Sequence, residues 1–252
     1  MYKNKTYIVV GGLGLIGSVF VRHILKNNGN VIVADLTNNN HALFKELRKE
    51  KNFNFKNCDV NNDKSLDNLI SFAIKNSKRI DGAIYCAYPK SKKWGAKFSL
   101  IERKYLNIDL NANLGSPIIF SQKIIKLFLA QKKGVLVHIS SIQGVSSPKF
   151  EHYSGTNMTS PIEYSAIKSG VISITKYLAK LYKKDNIRIN CISPGGIYEN
   201  QPKSFIKKYK KDSGMKGLLD PSDLVGALQF ILSDENKFVN GQNIIVDDGW
   251  TL

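Results

Sequence analysis

An apolar, β-branched run, TYIVV (6–10), meets a cluster of glycines, GGLGLIG (11–17), and a segment of helical period, SVFVRHILKN, follows at once. No other feature of the chain narrows its fold as much. The run reads as a strand buried on both faces. The glycines permit a turn too tight for side chains. The helix that follows directs its free N–H groups and positive dipole end back over that turn. Gly12, Gly14 and Gly17 spell G-x-G-x-x-G, while Gly11, Gly14 and Gly17 give G-x-x-G-x-x-G. Between a strand and a helix, such a turn is a cradle for a pyrophosphate, and so predicts a dinucleotide cofactor.

The rest of the chain repeats the alternation. Further strand-like runs are VIVAD (31–35), FNFKNCDV (53–60), GAIYCA (82–87), GVLVHIS (134–140), IRINCIS (187–193) and NIIVDDG (243–249). Between them lie helical segments, among them DKSLDNLISFAIKN and AIKSGVISITKYLAKLYKK. In the latter, Ile167, Val171, Ile174, Leu178 and Leu181 share one face. Strands alternating with helices predict an α/β, Rossmann-type doubly wound parallel sheet of about seven strands, with helices on both faces. With 252 residues and no linker or repeat, the whole of 1–252 is expected to form one nucleotide-binding domain.

Composition excludes several classes. No apolar run approaches the ~20 residues of a membrane span, and the N-terminus reads as a strand and not a signal. No membrane association is expected. Cys58, Cys86 and Cys191 are far apart, each in an apolar setting, and no spacing suits a metal. They read as small buried hydrophobes in a reducing cytoplasm. The formal net charge of +17 is spread along the chain, and no aromatic-interleaved basic motif appears. A small anionic substrate is expected, and no nucleic acid.

Asp35 ends the second strand, where a carboxylate can accept the 2′-OH of a ribose and repel a 2′-phosphate. Leu13, Leu36 and Thr37 beside it offer no cation. NAD is therefore expected in preference to NADP. Further on, Tyr164 and Lys168 form Y-x-x-x-K and share a helix face. A free phenol with a pKa near 10 is a poor proton donor or acceptor at neutral pH, and an ammonium beside it would lower that value.

These residues resemble the short-chain dehydrogenase/reductase family, classical type, over nearly the whole chain. VLVHISSIQG is similar to the family's fifth strand with its catalytic serine, here Ser141 and not Ser140. DLNANLGSPIIFSQ is similar to the fourth-helix motif, whose asparagine falls on Asn113 in preference to Asn111. INCISPGGI resembles the segment after strand six, where Pro194, Gly195 and Ile197 would flank the nicotinamide, and CDV resembles the adenine-contacting pair, Asp59 and Val60. The resemblance implies that Gly11, Gly14, Leu15, Ile16, Gly17, Asp35, Leu36 and Ala87 also contact the cofactor. It implies hydride transfer at a carbinol or carbonyl carbon. Tyr164 exchanges the proton, Ser141 holds the oxygen, Lys168 tunes the phenol and binds the ribose, and Asn113 supports a water relay.

The chain departs from the family in places. Leu15 stands where the classical branch has glycine, and the usual Asn-Ala-Gly after strand four reads YCAYP, which keeps only Ala87. From Ser141 to Tyr153 is 12 positions and to Tyr164 is 23, so spacing alone nominates Tyr153. But Asn157 follows Tyr153 where Lys168 follows Tyr164. Tyr164 is therefore the expected catalyst, with 146–161 an inserted substrate loop and 198–217 a mobile lid. Substrate contacts are expected from Ser141, Gln143, Tyr153 and Tyr164. Ser154, Thr156, Asn157 and Thr159 are further polar candidates for a polyol.

YSGTNMTSPIEYSAIK is also similar to oxidoreductases of bacterial flagellin modification that serve nonulosonic (legionaminic-type) acid synthesis. That resemblance implies a sugar, sugar-phosphate or nucleotide-sugar substrate. The alternatives are a 3-oxoacyl-[acyl-carrier-protein] reductase, a sugar-nucleotide epimerase or dehydratase, and a dinucleotide-binding regulator. The family resemblance also implies a homotetramer or homodimer.

Overall fold

The computed structural model describes residues 1–36 and 41–252. Its strands are β1 (Thr6–Val10), β2 (Asn30–Asp35), β3 (Phe53–Asn57), β4 (Gly82–Tyr85), β5 (Gly134–Ile139), β6 (Ile187–Pro194) and β7 (Asn243–Val246). They form one sheet in the order β3-β2-β1-β4-β5-β6-β7, with every pairing parallel. β1 shows why the first run carries no alternation. Tyr7 and Val9 enter the core on one face, Ile8 and Val10 enter it on the other, and all four are buried.

The helices are α1 (Leu15–Lys26), α2 (Ala42–Leu47), α3 (Asp63–Asn76), α4 (Arg103–Leu110), α5 (Ser116–Gln131), α6 (Ile162–Leu181), α7 (Lys203–Lys211) and α8 (Val225–Leu232). α1 and α8 cover one face of the sheet through Phe20, Ile24, Leu228 and Ile231. α3 and α5 cover the other through Leu66, Leu69, Phe120 and Phe128. A wider π-helical turn, Asn111–Gly115, joins α4 to α5.

Four strand-like runs are longer than their strands, β5 ending at Ile139, one residue before its run does. β3 stops at Asn57, β4 at Tyr85 and β7 at Val246, and Cys58 and Cys86 each make one last backbone bond to the neighbouring strand, to Asp35 and Val10. The face of α6 also differs from the periodic reading. Ile167, Lys168, Val171, Thr175 and Ala179 are buried, Ile174 and Leu178 lie at the flank, and Leu181 is exposed. Small and polar side chains bring this helix close to β5 and β6, which turns bulkier apolar groups outward.

Two glycines of the first turn are required sterically. Gly11 has φ +72°, and a Cβ there would lie 2.6 Å from Ala87 Cα. A Cβ on Gly17 would run into the Gly11 carbonyl and come within 2.9 Å of Gly12 Cα. Gly226, near the start of α8, has no neighbour within 4 Å of its Cβ position. One substitution should therefore act with opposite sign at the two sites. Gly17→Ala is expected to lose roughly 1–3 kcal/mol by overpacking. Gly226→Ala is expected to gain about 0.5–1 kcal/mol from helix propensity. Urea denaturation of both variants checks this.

Candidate active site

β1 and β4 are neighbours, and the chain order reverses between them. In an open parallel sheet the crevice at such a reversal, outside the carboxyl ends of the strands, is where ligands bind. A cavity of about 710 Å³ lies there. Every residue expected above to contact the cofactor or substrate lines it, except Asn113 and the polar candidates Ser154, Thr156, Asn157 and Thr159, and Thr37 lies outside the described residues.

At the outer end, α1 begins with no acidic residue in its first turn and no side-chain cap, so its leading N–H groups are available to an anion. The Asp35 carboxylate is already engaged. Oδ2 accepts from the Leu13 amide (2.9 Å) and Oδ1 from the Leu36 amide (2.8 Å). It thus pins the glycine loop, and the lone pairs left over can still accept a hydroxyl. Asp59 Oδ1 accepts from the Asn61 amide (2.9 Å) beside buried Val60. A glycine cradle, a bare helix terminus and a carboxylate at the end of β2 fit a dinucleotide.

The inner end brings together Ser141, Tyr164 and Lys168. Ser140 and Ser141 divide the work. Ser140 Oγ donates to the Lys168 carbonyl (2.7 Å), while Ser141 Oγ caps a short turn by accepting from the Gln143 amide (3.2 Å) and lines the cavity with Tyr164. Lys168 Nζ is buried and donates to the Ile139 carbonyl (3.0 Å). Burial pulls its pKa down to about 8.

From the sequence, Lys168 is expected to depress the Tyr164 pKa. Here Nζ lies over the phenol ring, 5.5 Å from its centroid, and burial raises the phenol pKa, opposed by the Ser141 hydroxyl.

Asn113 lies behind this group, in the π-helical turn. Its Nδ2 donates to the Pro89 carbonyl (2.8 Å) and the Asp109 carbonyl (3.1 Å), and its Oδ1 is buried with no partner among the described residues. Asn113 and Lys168 share a second cavity of about 10 Å³, room for roughly one water. Asn111 is exposed and takes no part.

Some residues at the site went unread in the sequence. Tyr88 and Trp94 stand edge-on to the Tyr164 ring, with centroids 5.6 Å and 6.3 Å away. YCAYP held a signal for Tyr88, since an aromatic side chain there replaces glycine. His152, Phe205, Tyr209 and Trp250 carried none, because segments remote in sequence bring them together.

Those four form a junction between the inserted loop, α7 and the C-terminal tail. The His152 ring lies 5.6 Å from Tyr209, 6.0 Å from Trp250 and 6.2 Å from Phe205, and its Nε2 meets Asp212 Oδ2 at 2.5 Å. Lys149 pairs with the other Asp212 oxygen at 2.9 Å, and Lys208 Nζ donates to the Ser154 carbonyl at 2.7 Å. Of the polar candidates Tyr153, Ser154, Thr156, Asn157 and Thr159, Tyr153 lines the cavity and the other four do not. Ser154, Asn157 and Thr159 face solvent, and Thr156 Oγ1 is spent on the Tyr153 carbonyl. The loop is anchored through its aromatic groups, which turns the other polar side chains outward.

Residues 15–251 match the family model described as "Enoyl-(Acyl carrier protein) reductase". The chain is 42% identical to "Post-translational flagellin modification protein A" of Campylobacter coli, over all of both chains. It is 26% identical to "7alpha-hydroxysteroid dehydrogenase" of Bacteroides fragilis, over 100% of this chain and 96% of that one. A solved short chain dehydrogenase from Leptospira borgpetersenii with bound NAD+ superposes with TM-score 0.90 at 31% identity, covering 100% of this chain and 94% of the other. The chain belongs to the short-chain dehydrogenase/reductase family.

As a member of that family it is an NAD(P)-dependent oxidoreductase acting on hydroxyl and keto groups. Among the described residues no helix is long and apolar enough to cross a membrane, and no cluster of residues could hold a metal ion. The three cysteines are free, and burial raises the thiol pKa of Cys58 and takes that of Cys191 up to about 11.

A buried ammonium has a measurable cost. The folded pKa of Lys168, about 8, lies below its ordinary 10.5, so the unfolded chain binds the extra proton more tightly. Its contribution is destabilising below pH 8 and is relieved as pH rises towards about 10.5. Lys168→Met is therefore expected to be more stable than the parent at pH 7, by up to about 3 kcal/mol. The gap should close progressively above pH 8. Guanidinium denaturation of both proteins at pH 7 and pH 9.5 reads this directly.

Proposed function

We propose that the chain is an NAD-dependent dehydrogenase or reductase that transfers a hydride at a secondary alcohol or ketone of a sugar, sugar-phosphate or nucleotide-sugar derivative. Its biological setting would be flagellin glycan biosynthesis of the nonulosonic (legionaminic-type) kind. The observation that carries the reading is the meeting of Ser141, Tyr164 and Lys168 at the inner end of a cleft whose outer end is the glycine turn and Asp35. NAD is favoured because the Asp35 carboxylate would repel a 2′-phosphate.

The substrate reading is supported by the 42% identity to the Campylobacter coli flagellin modification protein. It is also supported by a polar wall opposite the phenol. Ser160 Oγ donates to Gln143 Oε1 (2.6 Å), and Gln143 Nε2 donates to the Tyr153 hydroxyl (3.3 Å), an array suited to a polyol. Exposed Lys90 at the cavity edge and the lysines of α7 would attract an anion. Exposed Ile162, Tyr177 and Leu181 on α6 support a homodimer or homotetramer, and the cell compartment is read as cytoplasmic.

The nicotinamide, when bound, supplies or takes the hydride. Ser141 then holds the substrate oxygen, and the Tyr164 phenol gives or receives its proton. The two N–H groups of Lys168 not bonded to Ile139 are left for ribose hydroxyls and for the relay that Asn113 and one water would complete. Lys168, with its pKa near 8, can exchange that proton close to neutral pH.

Fluorescence titration with NADH and NADPH is expected to give tighter NADH binding, and tighter NADPH binding would remove the Asp35 argument. A panel of sugar phosphates and nucleotide sugars is then assayed for cofactor oxidation and reduction. Tyr164→Phe should lower kcat/KM by about 10²-fold or more. Undiminished turnover would take Tyr164 out of the mechanism.

A further inference from the structure

Tyr88 follows Ala87 beyond the carboxyl end of β4, where the family pattern has glycine. The Lys168 ammonium lies 4.8 Å from the centroid of its ring. The ring is held in place from several sides. It meets Tyr164 edge-to-face at 5.6 Å and Trp94 at 5.3 Å. The backbone beyond it is pinned by Asn113 on the Pro89 carbonyl and by Asp109, whose oxygens accept from the Ser91 amide (2.8 Å) and hydroxyl (2.7 Å). The Tyr88 hydroxyl is buried and has no hydrogen-bond partner among the described residues. The contacts named here thus engage the ring and not the hydroxyl.

The surroundings of Lys168 supply little else to offset its charge. The ionisable groups facing it are the thiols of Cys86, after β4, and Cys191, in β6, with Tyr164 on its own helix. His138 of β5 lines the same small cavity, but burial holds that imidazole neutral, with its pKa down to about 4. Asp109 of α4 and Glu163 of α6 face Tyr88. A desolvated ammonium over an aromatic face gains more than an exposed one, because the ring quadrupole replaces lost hydration.

We propose that Tyr88 is a positioning residue whose ring face carries the Lys168 ammonium, keeping it charged and directed at the Ser141–Tyr164 pair. This rests on the reading of Lys168 as the cation of the active site. The glycine of the family pattern offers no such face, so the chain has added an aromatic seat for its buried lysine. The seat should tolerate phenylalanine and fail with any aliphatic side chain.

The test titrates Lys168 itself in the full chain without cofactor. Lysine side chains are isotopically labelled, and the Lys168 resonance is assigned by its loss in Lys168→Met. Wild type and Tyr88→Phe are expected to share a midpoint near about 8. In Tyr88→Leu and Tyr88→Met it should fall by about 0.5–1 pH unit, a roughly threefold to tenfold loss of proton affinity. Either aliphatic variant carries the comparison if the other does not fold. Aliphatic variants that titrate like the parent overturn the proposal, as does a Phe variant that shifts with them. Failure of both aliphatic variants to fold assigns the ring to packing and overturns it too. NADH binding by the same proteins is read separately, so a failure of the cofactor reading would show there and leave the titration intact.

Discussion

The inner end of the cleft depends on a buried ammonium. Lys168 is bonded to the sheet twice, through its side chain to the Ile139 carbonyl and through its own carbonyl to Ser140 Oγ. Gly144 allows the close approach, since a Cβ there would come within 2.7 Å of the Lys168 carbonyl group. Together these contacts fix the rotation and height of α6 against β5. Tyr164, one turn earlier on the same face, is thereby delivered to Ser141. The energetic cost of burying the charge is thus tied to positional accuracy at the phenol, in keeping with the usual conflict between stability and function.

The same logic explains the π-helical turn between α4 and α5. One extra residue in a helical turn shifts the side chains after it relative to those before it, and such turns concentrate at functional sites. Here the turn leaves Asn111 in solvent and puts Asn113 inward, where it holds Pro89 and keeps one oxygen free beside Lys168. Asp109, one helical turn earlier, holds Ser91. Two polar residues from one helix therefore fix the segment that carries Tyr88.

Much of this was legible in the sequence. β1 and α3 begin and end where the apolar and periodic patterns do. The alternation of elements led to the parallel sheet, and the glycine turn to its cleft. Strand ends were less legible. Cys58–Val60 and Cys86–Ala87 continue the apolar runs but turn away to line the cavity, and apolarity does not record where a neighbouring strand stops. The face of α6 was misread because Thr175 and Lys168 are buried for reasons of close packing and hydrogen bonding that no hydropathy pattern carries. The tyrosine choice came from chemistry, since spacing favoured Tyr153 and only Tyr164 has a lysine one turn on. Asp35 holds the glycine turn and also lines the cleft, so the loop-capping use and the proposed cofactor use are compatible.

The inserted loop shows why substrate selection was the least legible part. Its polar run invited the reading of a hydrogen-bonding wall, yet the loop is held by His152, buried among Phe205, Tyr209 and Trp250 and paired with Asp212. Loop, α7 and tail each supply part of one small core, with Tyr153 packed on Phe205 at 5.2 Å. None of the three could bury those rings alone. The position of Tyr153 over the cavity is therefore a property of the junction, and it follows any movement of α7. The proton-transfer chemistry proposed for Tyr164 would rest on the sheet through α6, and the proposed substrate wall on three segments outside it. The family's reaction can be kept on the first support while the second changes what is admitted.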